Sequence, residues 1–230
     1  RRPHTLREDF CGTAAVACCW VGEHHKNLAI GLDLDATPLE WAREHSMPTL
    51  GSAAARLDLR QKDVRSVTRP LADVVQAFNF SSYFFHPVSQ LVRYLRCVRR
   101  SLAPGGIVML DGYGGWESQQ PLSERRTVKS PEGTFGYTWE QADYNPIDSL
   151  ARCHMHFELK NGKKMKRAFT YHWRLYAPAE LSDALRAAGF KNIEVLWDFD
   201  DDVECSSYKP TSKAENSPGW LFYIVADGSS

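Results

Sequence analysis

Apolar runs alternate with helical periodicities along the first half of the chain. Thr5–Asp9 predicts a short strand that turns through Cys11-Gly12-Thr13 into a helix over Ala14–Val21. Leu28–Asp33 is an unbroken apolar run closed by an acid, the pattern of a strand buried on both faces. Thr37 and Pro38 cap and open a second helix. Arg56–Arg60, Ala72–Phe78 and Gly106–Leu110 predict strands three to five. Between the last two, Val88, Leu91, Val92, Leu95, Val98 and Leu102 recur at helical spacing with arginines opposite, and Pro104-Gly105-Gly106 stops that helix. Alternation of this kind implies a parallel sheet joined by right-handed crossovers.

The pattern changes after Gly114-Gly115. Residues 116–150 are mixed and rich in aromatics. Cys153–Leu159 and Ala168–Tyr176 then alternate about Asn161-Gly162, a hairpin signal. A loop of just those two residues puts His154, His156 and Glu158 on one face with Phe169, Tyr171 and Trp173. A loop one residue different flips the register and sets the histidines with His172 and Arg174. Met155 and Phe157 take the other face. A helix over Ala177–Ala188, begun by Pro178 and stopped at Gly189, precedes two strands, Ile193–Trp197 and Trp220–Ala226. The acidic loop Asp198–Glu204 and the polar stretch Ser206–Pro218 connect them. The fold expected is α/β, a Rossmann-like doubly wound and mostly parallel seven-stranded sheet. Its final strand is antiparallel, and an antiparallel β insertion follows strand five. Residues 1–115 and 177–230 would form the main domain and 116–176 an inserted unit.

Composition narrows this picture. The 230 residues carry 28 Lys+Arg against 28 Asp+Glu, so no global charge attracts a polyanion and nucleic acid is not indicated. The six cysteines contain no CxxC pair, which fits neither a disulfide framework nor a zinc site and suits a reducing, cytoplasmic setting. No apolar run is long enough to span a membrane, and no signal peptide opens the chain. Strand-like sequence begins by Thr5 with no Met before it, so a preceding segment is expected.

Candidate chemistry gathers at the ends of the predicted strands. The turn Glu8-Asp9-Phe10-Cys11-Gly12-Thr13-Ala14 is placed where a nucleotide-like ligand meets backbone beside a helix N-terminus. Asp33, followed by Leu34, comes 21 residues after Gly12, the spacing at which an acid accepts hydrogen bonds from ribose hydroxyls. After strand three, the Asp63 carboxylate could accept from an adenine amino group while Val64 donates its backbone N–H. Asn79, Phe80 and Ser81 stand at the carboxyl edge after strand four, where ligands bind in open α/β sheets.

In this order these features resemble the class I S-adenosylmethionine-dependent methyltransferases over residues 5–111 and again over 178–226. The resemblance implies that Glu8, Cys11, Gly12, Thr13 and Ala14 hold the methionine part of S-adenosyl-L-methionine. It gives Asp33 the ribose and Asp63 the adenine, and Asn79, Phe80 and Ser81 the methyl-transfer site. Leu102–Gly106 and Ala184–Phe190 match frequent family stretches. The family's glycine-rich turn is reduced here to Gly12, with Phe10 and Ala14 where other glycines would stand. Insertions after strand five form a substrate cap in this family, so 116–176 is the expected cap.

The activity implied is methyl transfer to a nitrogen or oxygen of a small molecule by a monomer or homodimer. A proton-accepting group must lie within about 3 Å of the acceptor, and Tyr83, His86, Tyr113, Glu140 and His154 are the candidates. Tyr83, Tyr137, Trp139, His156, Tyr171, Trp173 and Arg174 are candidate substrate contacts, the rings through attraction of their faces for cations. Arg174 and Arg7 would pair with carboxylates of substrate and cofactor. His154 and His156 lack a third ligand, so no metal is expected. The competing readings are a cofactor-binding scaffolding subunit, an RNA or protein methyltransferase, and a nicotinamide dehydrogenase, which would show more glycines in the first turn.

Overall fold

The computed structural model describes residues 2–131, 133–198 and 208–228. Most of the acidic stretch, 199–204, and Cys205 lie outside the described residues.

The elements run β1 (Thr5–Asp9), α1 (Ala15–Glu23), β2 (Leu28–Asp33), α2 (Ala36–Trp41), β3 (Leu57–Gln61), β4 (Ala72–Ala77), α3 (Val88–Arg99) and β5 (Leu102–Gly114). Four strands follow: β6 (Leu122–Ser130), β7 (Gly133–Asn145), β8 (Leu150–Glu158) and β9 (Lys164–Arg174). The chain closes with α4 (Pro178–Ala188), β10 (Lys191–Asp198), β11 (Tyr208–Pro210) and β12 (Trp220–Asp227).

The main sheet has the order β11-β10-β12-β5-β4-β1-β2-β3. Strands β1 to β5 pair in parallel, and β12 is antiparallel to both β5 and β10. The expectation of seven strands is corrected to eight among the described residues. The extra one is the three-residue edge strand β11, inside the stretch taken from sequence as a polar connection. Strand order reverses between β1 and β4, which leaves a crevice at their carboxyl ends.

Each face of the sheet carries its own core. Leu91, Tyr94, Leu95 and Val98 of α3 meet Leu181, Ala184 and Leu185 of α4 over Val75, Val108 and Leu110. Ala17 and Val21 of α1 pack with Leu6, Ala29, Leu39 and Leu57 on the other face. Each fully buried leucine contributes roughly 1.5–3 kcal/mol. The second helix is capped by Asp35, whose carboxylate accepts the Thr37 N–H at 2.9 Å, rather than by Thr37.

Strands β6 to β9 form a separate antiparallel sheet in chain order. Its β8–β9 turn has three loop residues, 160–162. The Leu159 N–H donates to Lys163 O at 2.9 Å, and Gly162 takes φ 80°. This is the alternative register of the hairpin: Met155 faces Phe169, Cys153 faces Tyr171 and Ala151 faces Trp173, with His154 opposite Thr170 and Arg152 opposite His172. The histidines therefore lie on the face opposite the aromatic row.

Candidate active site

The turn after β1 brings backbone to the crevice in an unusual way. Phe10, Gly12 and Ala14 all take left-handed φ, at 55°, 51° and 55°. Gly12 adopts this freely, whereas the other two each cost about 1–2 kcal/mol. Phe10 offsets its share by burial: its ring turns inward against Phe85 and Tyr94, with centroids at 5.9 and 6.1 Å. The Gly12 N–H donates to one oxygen of Asp33 at 2.8 Å, and the Asp35 N–H to the other at 3.0 Å. Turn and carboxylate thus face each other. A Cβ at residue 12 would meet nothing within 4 Å, so the space over the turn is open. Leu34 beside Asp33 is exposed.

Glu8 is buried beneath this turn and accepts the Ala17 N–H of α1 at 2.8 Å. Burial pushes its carboxyl up to about 7, against the pull of that bond. The buried Cys11 thiol is likewise held well above the ordinary thiol value by burial.

Arg7 does not reach the crevice. It is 0% exposed. Its guanidinium donates to both oxygens of Asp9, at 2.7 and 3.1 Å, and to the carbonyls of Val64 and Ser66, at 2.6 and 2.9 Å. The Ser101 hydroxyl takes a further donor at 2.8 Å, and Tyr94 OH donates to Asp9 at 2.8 Å. With all donors used inside the protein, Arg7 is corrected from a cofactor contact to a buried strut that fixes the segment after β3. Burial pushes the Asp9 carboxyl above its ordinary value, with Arg7 and Tyr94 pulling against it. On that braced segment, hydrogen bonds from Arg65 hold the Asp63 carboxyl below its usual range.

After β4 the chain takes two successive left-handed residues, Asn79 and Phe80, at φ 58° and 60°. Their N–H groups each donate at 2.8 Å to the Asp111 carboxylate on β5. Ser81 closes its own turn by donating to Phe78 O at 2.7 Å.

Asn79 and Phe80 also border a cavity of about 830 Å³ between this edge and the four-stranded sheet. Its sheet wall is one pleated face: Leu122, Glu124 and Arg126 of β6; Tyr137, Trp139 and Gln141 of β7; Met155 of β8; and Tyr171 and Trp173 of β9. Tyr171 stacks on Trp173 at 4.4 Å, and Trp139 lies 5.9 Å from Trp173. Tyr113, Gly114, Glu117, Ser118, Trp197 and residues 217–221 complete the lining.

Residues 9–110 match the family described as a methyltransferase domain. The chain also superposes on an S-adenosylmethionine-dependent methyltransferase from Clostridium acetobutylicum with a TM-score of 0.72, at 15% identity over 99% of this chain and 85% of that one. The fold is that of S-adenosylmethionine-dependent methyltransferases, and residues 9–110 match a methyltransferase domain. Two further solved structures share this fold. One is the amino pentose methyltransferase CalS10 of Micromonospora echinaspora, with S-adenosylmethionine bound (TM-score 0.69, 16% identity, 98% and 84% coverage). The other is the sugar N-methyltransferase KedS8 of a Streptoalloteichus species (TM-score 0.61, 17% identity, 97% and 80% coverage). No curated protein matches the sequence.

Of the five acid–base candidates, the structure places only Tyr113 in the cavity wall. Tyr83 is fully buried, and its hydroxyl accepts the Tyr113 N–H at 3.0 Å and donates to the carbonyl of Tyr113 or Tyr176. His86 donates to His172 O at 2.7 Å, outside the cavity. The pleat turns Glu140, His154 and His156 to the opposite side of the β6–β9 sheet. There His156 Nε2 meets Glu140 at 2.7 Å and His154 Nδ1 meets Thr170 at 2.9 Å. Arg174 is likewise corrected from a substrate contact to a joint: it donates to His86 O at 2.9 Å and Glu180 at 3.3 Å, over the Tyr176 ring. Tyr137, Trp139, Tyr171 and Trp173 do share the cavity. Sequence reasoning missed Glu117, Glu124 and Arg126, which sit in the stretch without clear periodicity. It missed Met155 because the two-residue loop assigned it to the other face.

Proposed function

We propose that this methyltransferase transfers a methyl group to a nitrogen or oxygen nucleophile of a small molecule held in the aromatic cavity. Residues 1–115 and 177–230 serve as the cofactor-binding domain and 116–176 as the substrate cap. The observation that carries this is the cavity itself. Its volume of about 830 Å³ falls in the range of small-molecule sites, roughly 300–1,000 Å³, and it opens beside Asn79 and Phe80.

The residues fit S-adenosyl-L-methionine. The open space over Gly12 admits the methionine end beside the N-terminus of α1, with Cys11, Thr13 and Ala14 forming the rest of the turn and Glu8 supporting it. Asp33 holds the ribose hydroxyls, Leu34 packs on the adenine ring, and Asp63 with the Val64 N–H holds its edge. When bound, the cofactor supplies a methyl group already activated by a sulfonium. The protein then orients the nucleophile in line and excludes water. Asn79, Phe80 and Ser81 set the position of the methyl-transfer site. Tyr113 gives its ring to the cavity wall and does not ionise, because its hydroxyl is buried beside Cys153 and burial holds the phenol well above the ordinary value. Glu117 and Glu124 are the carboxylates of the lining, and the faces of Trp139, Tyr171 and Trp173 suit an ammonium group. The amino pentose and sugar N-methyltransferases among its structural neighbours favour a nitrogen acceptor.

The test is thermal. Millimolar S-adenosylmethionine raises the melting temperature, and a panel of amino sugars and other small amines releases S-adenosylhomocysteine above background. Absence of any cofactor-induced shift would reject the proposal. A shift with no turnover across a broad metabolite pool would favour a scaffolding role.

A further inference from the structure

We propose that Asp111 is a positioning residue whose carboxylate fixes Asn79 and Phe80 beside the methyl-transfer site. This rests on the proposed role of residues 79–81 at that site. The geometry is that of a two-pronged clamp. β4 pairs with β5 as far as Ala77 opposite Leu110, so Asp111 is one residue past the last rung and reaches the chain where the ladder ends. Its Oδ2 accepts the Asn79 N–H and its Oδ1 the Phe80 N–H, both at 2.8 Å. Those residues are consecutive, neither is glycine, and both are left-handed, a conformation that persists only where surroundings hold it. The clamp satisfies two N–H groups that the sheet no longer serves.

Only the ionised carboxylate offers both oxygens as free acceptors. Burial pushes the Asp111 carboxyl up to about 6, and the backbone bonds from Phe80 and Asn79 oppose that. The titratable groups interacting with it are Tyr83, from the turn after Phe80, and Tyr223, paired opposite it on β12. The clamp is therefore set above about pH 6 and released below it.

The experiment compares the full chain with Asp111→Asn, using amide hydrogen exchange of the 77–84 segment, corrected for intrinsic rates, and calorimetric titration with S-adenosylhomocysteine, each at pH 7.5 and 5. Asn offers one oxygen, so its loop should exchange at least tenfold faster at pH 7.5 and change little on acidification. The wild-type loop should open tenfold or more between the two pH values. S-adenosylhomocysteine affinity should follow the same pattern. Glu8 titrates in the same pH range but is present in both proteins, so the difference between the profiles isolates Asp111. Equal protection and equal pH profiles in the two proteins overturn the proposal. If the variant does not fold, the wild-type pH series decides: a 77–84 segment equally protected at pH 5 and 7.5 overturns it. If S-adenosylhomocysteine fails to bind wild type, the proposed function falls, and amide exchange alone still decides the clamp.

Discussion

Arg7→Met tests the strut beneath the crevice. The substitution keeps a long flexible side chain but removes every guanidinium donor. Asp9, 1% exposed, is then left with the Tyr94 hydroxyl alone, and the Val64 and Ser66 carbonyls lose their partner. Breaking a buried pair by deleting one partner costs about 3–5 kcal/mol, since the remaining charge is buried without compensation. Against a total stability of about 5–15 kcal/mol, that is a large fraction. For a chain of this size each kcal/mol lowers the melting temperature by roughly 2–4 °C, so a fall of about 6–20 °C is expected. Urea denaturation read by tryptophan fluorescence gives the free energy directly. Arg7→Met combined with Asp9→Leu removes both charges and should recover much of the loss, because an apolar replacement of a whole pair is often close to neutral. The argument for a strut is refuted if the single variant loses less than 1 kcal/mol, or if the double variant loses the sum of the two singles.

Three further outcomes follow from the geometry. If Asp33 holds the ribose as proposed, Asp33→Ala should weaken S-adenosylhomocysteine by about 3 kcal/mol, on the order of a hundredfold, in calorimetric titration; a change under threefold excludes Asp33 from the site. Glu8 has a raised folded-state value of about 7 against 4.5, so its contribution is fully present below pH 4.5 and is lost as pH rises through 7. Glu8→Gln should accordingly gain on wild type from pH 5 to 8, by up to about 3 kcal/mol in urea melts, and a parallel pair of pH curves contradicts this. Gly112→Ala sets a Cβ 2.4 Å from the Phe222 ring and 2.6 Å from the Tyr83 hydroxyl, so a loss of about 1–3 kcal/mol is expected and an unchanged melting temperature counts against the packing described.

The parallel half of the fold was legible because strands buried on both faces announce themselves as apolar runs. β1 and β2 appear with the bounds expected, Thr5–Asp9 and Leu28–Asp33. β6 was not legible: Ser123, Glu124, Arg125 and Arg126 are exposed, so no alternation marks the strand. The hairpin failed on parity. Lys160 joins Asn161-Gly162 in the loop, and that one residue exchanges the faces and sends His154 and His156 away from the cavity. Arg7 and Asp111 show a different limit. Residue type tells that a guanidinium or carboxylate needs partners, but apart from Asp9, two residues from Arg7, those partners come from segments 57 and 31 residues or more away. The facing of Gly12 and Asp33 was readable, because strand–turn–helix spacing alone brings them together.

The pleat of the four-stranded sheet separates two kinds of variation. Side chains at alternate positions, such as Glu124, Arg126, Tyr137, Trp139, Met155 and Tyr171, meet the cavity, while their immediate neighbours point away from it. On the proposed function, acceptor preference can therefore drift through every second codon of these strands without disturbing the eight-stranded sheet. A library that tests the proposed acceptor site needs to randomise only that half.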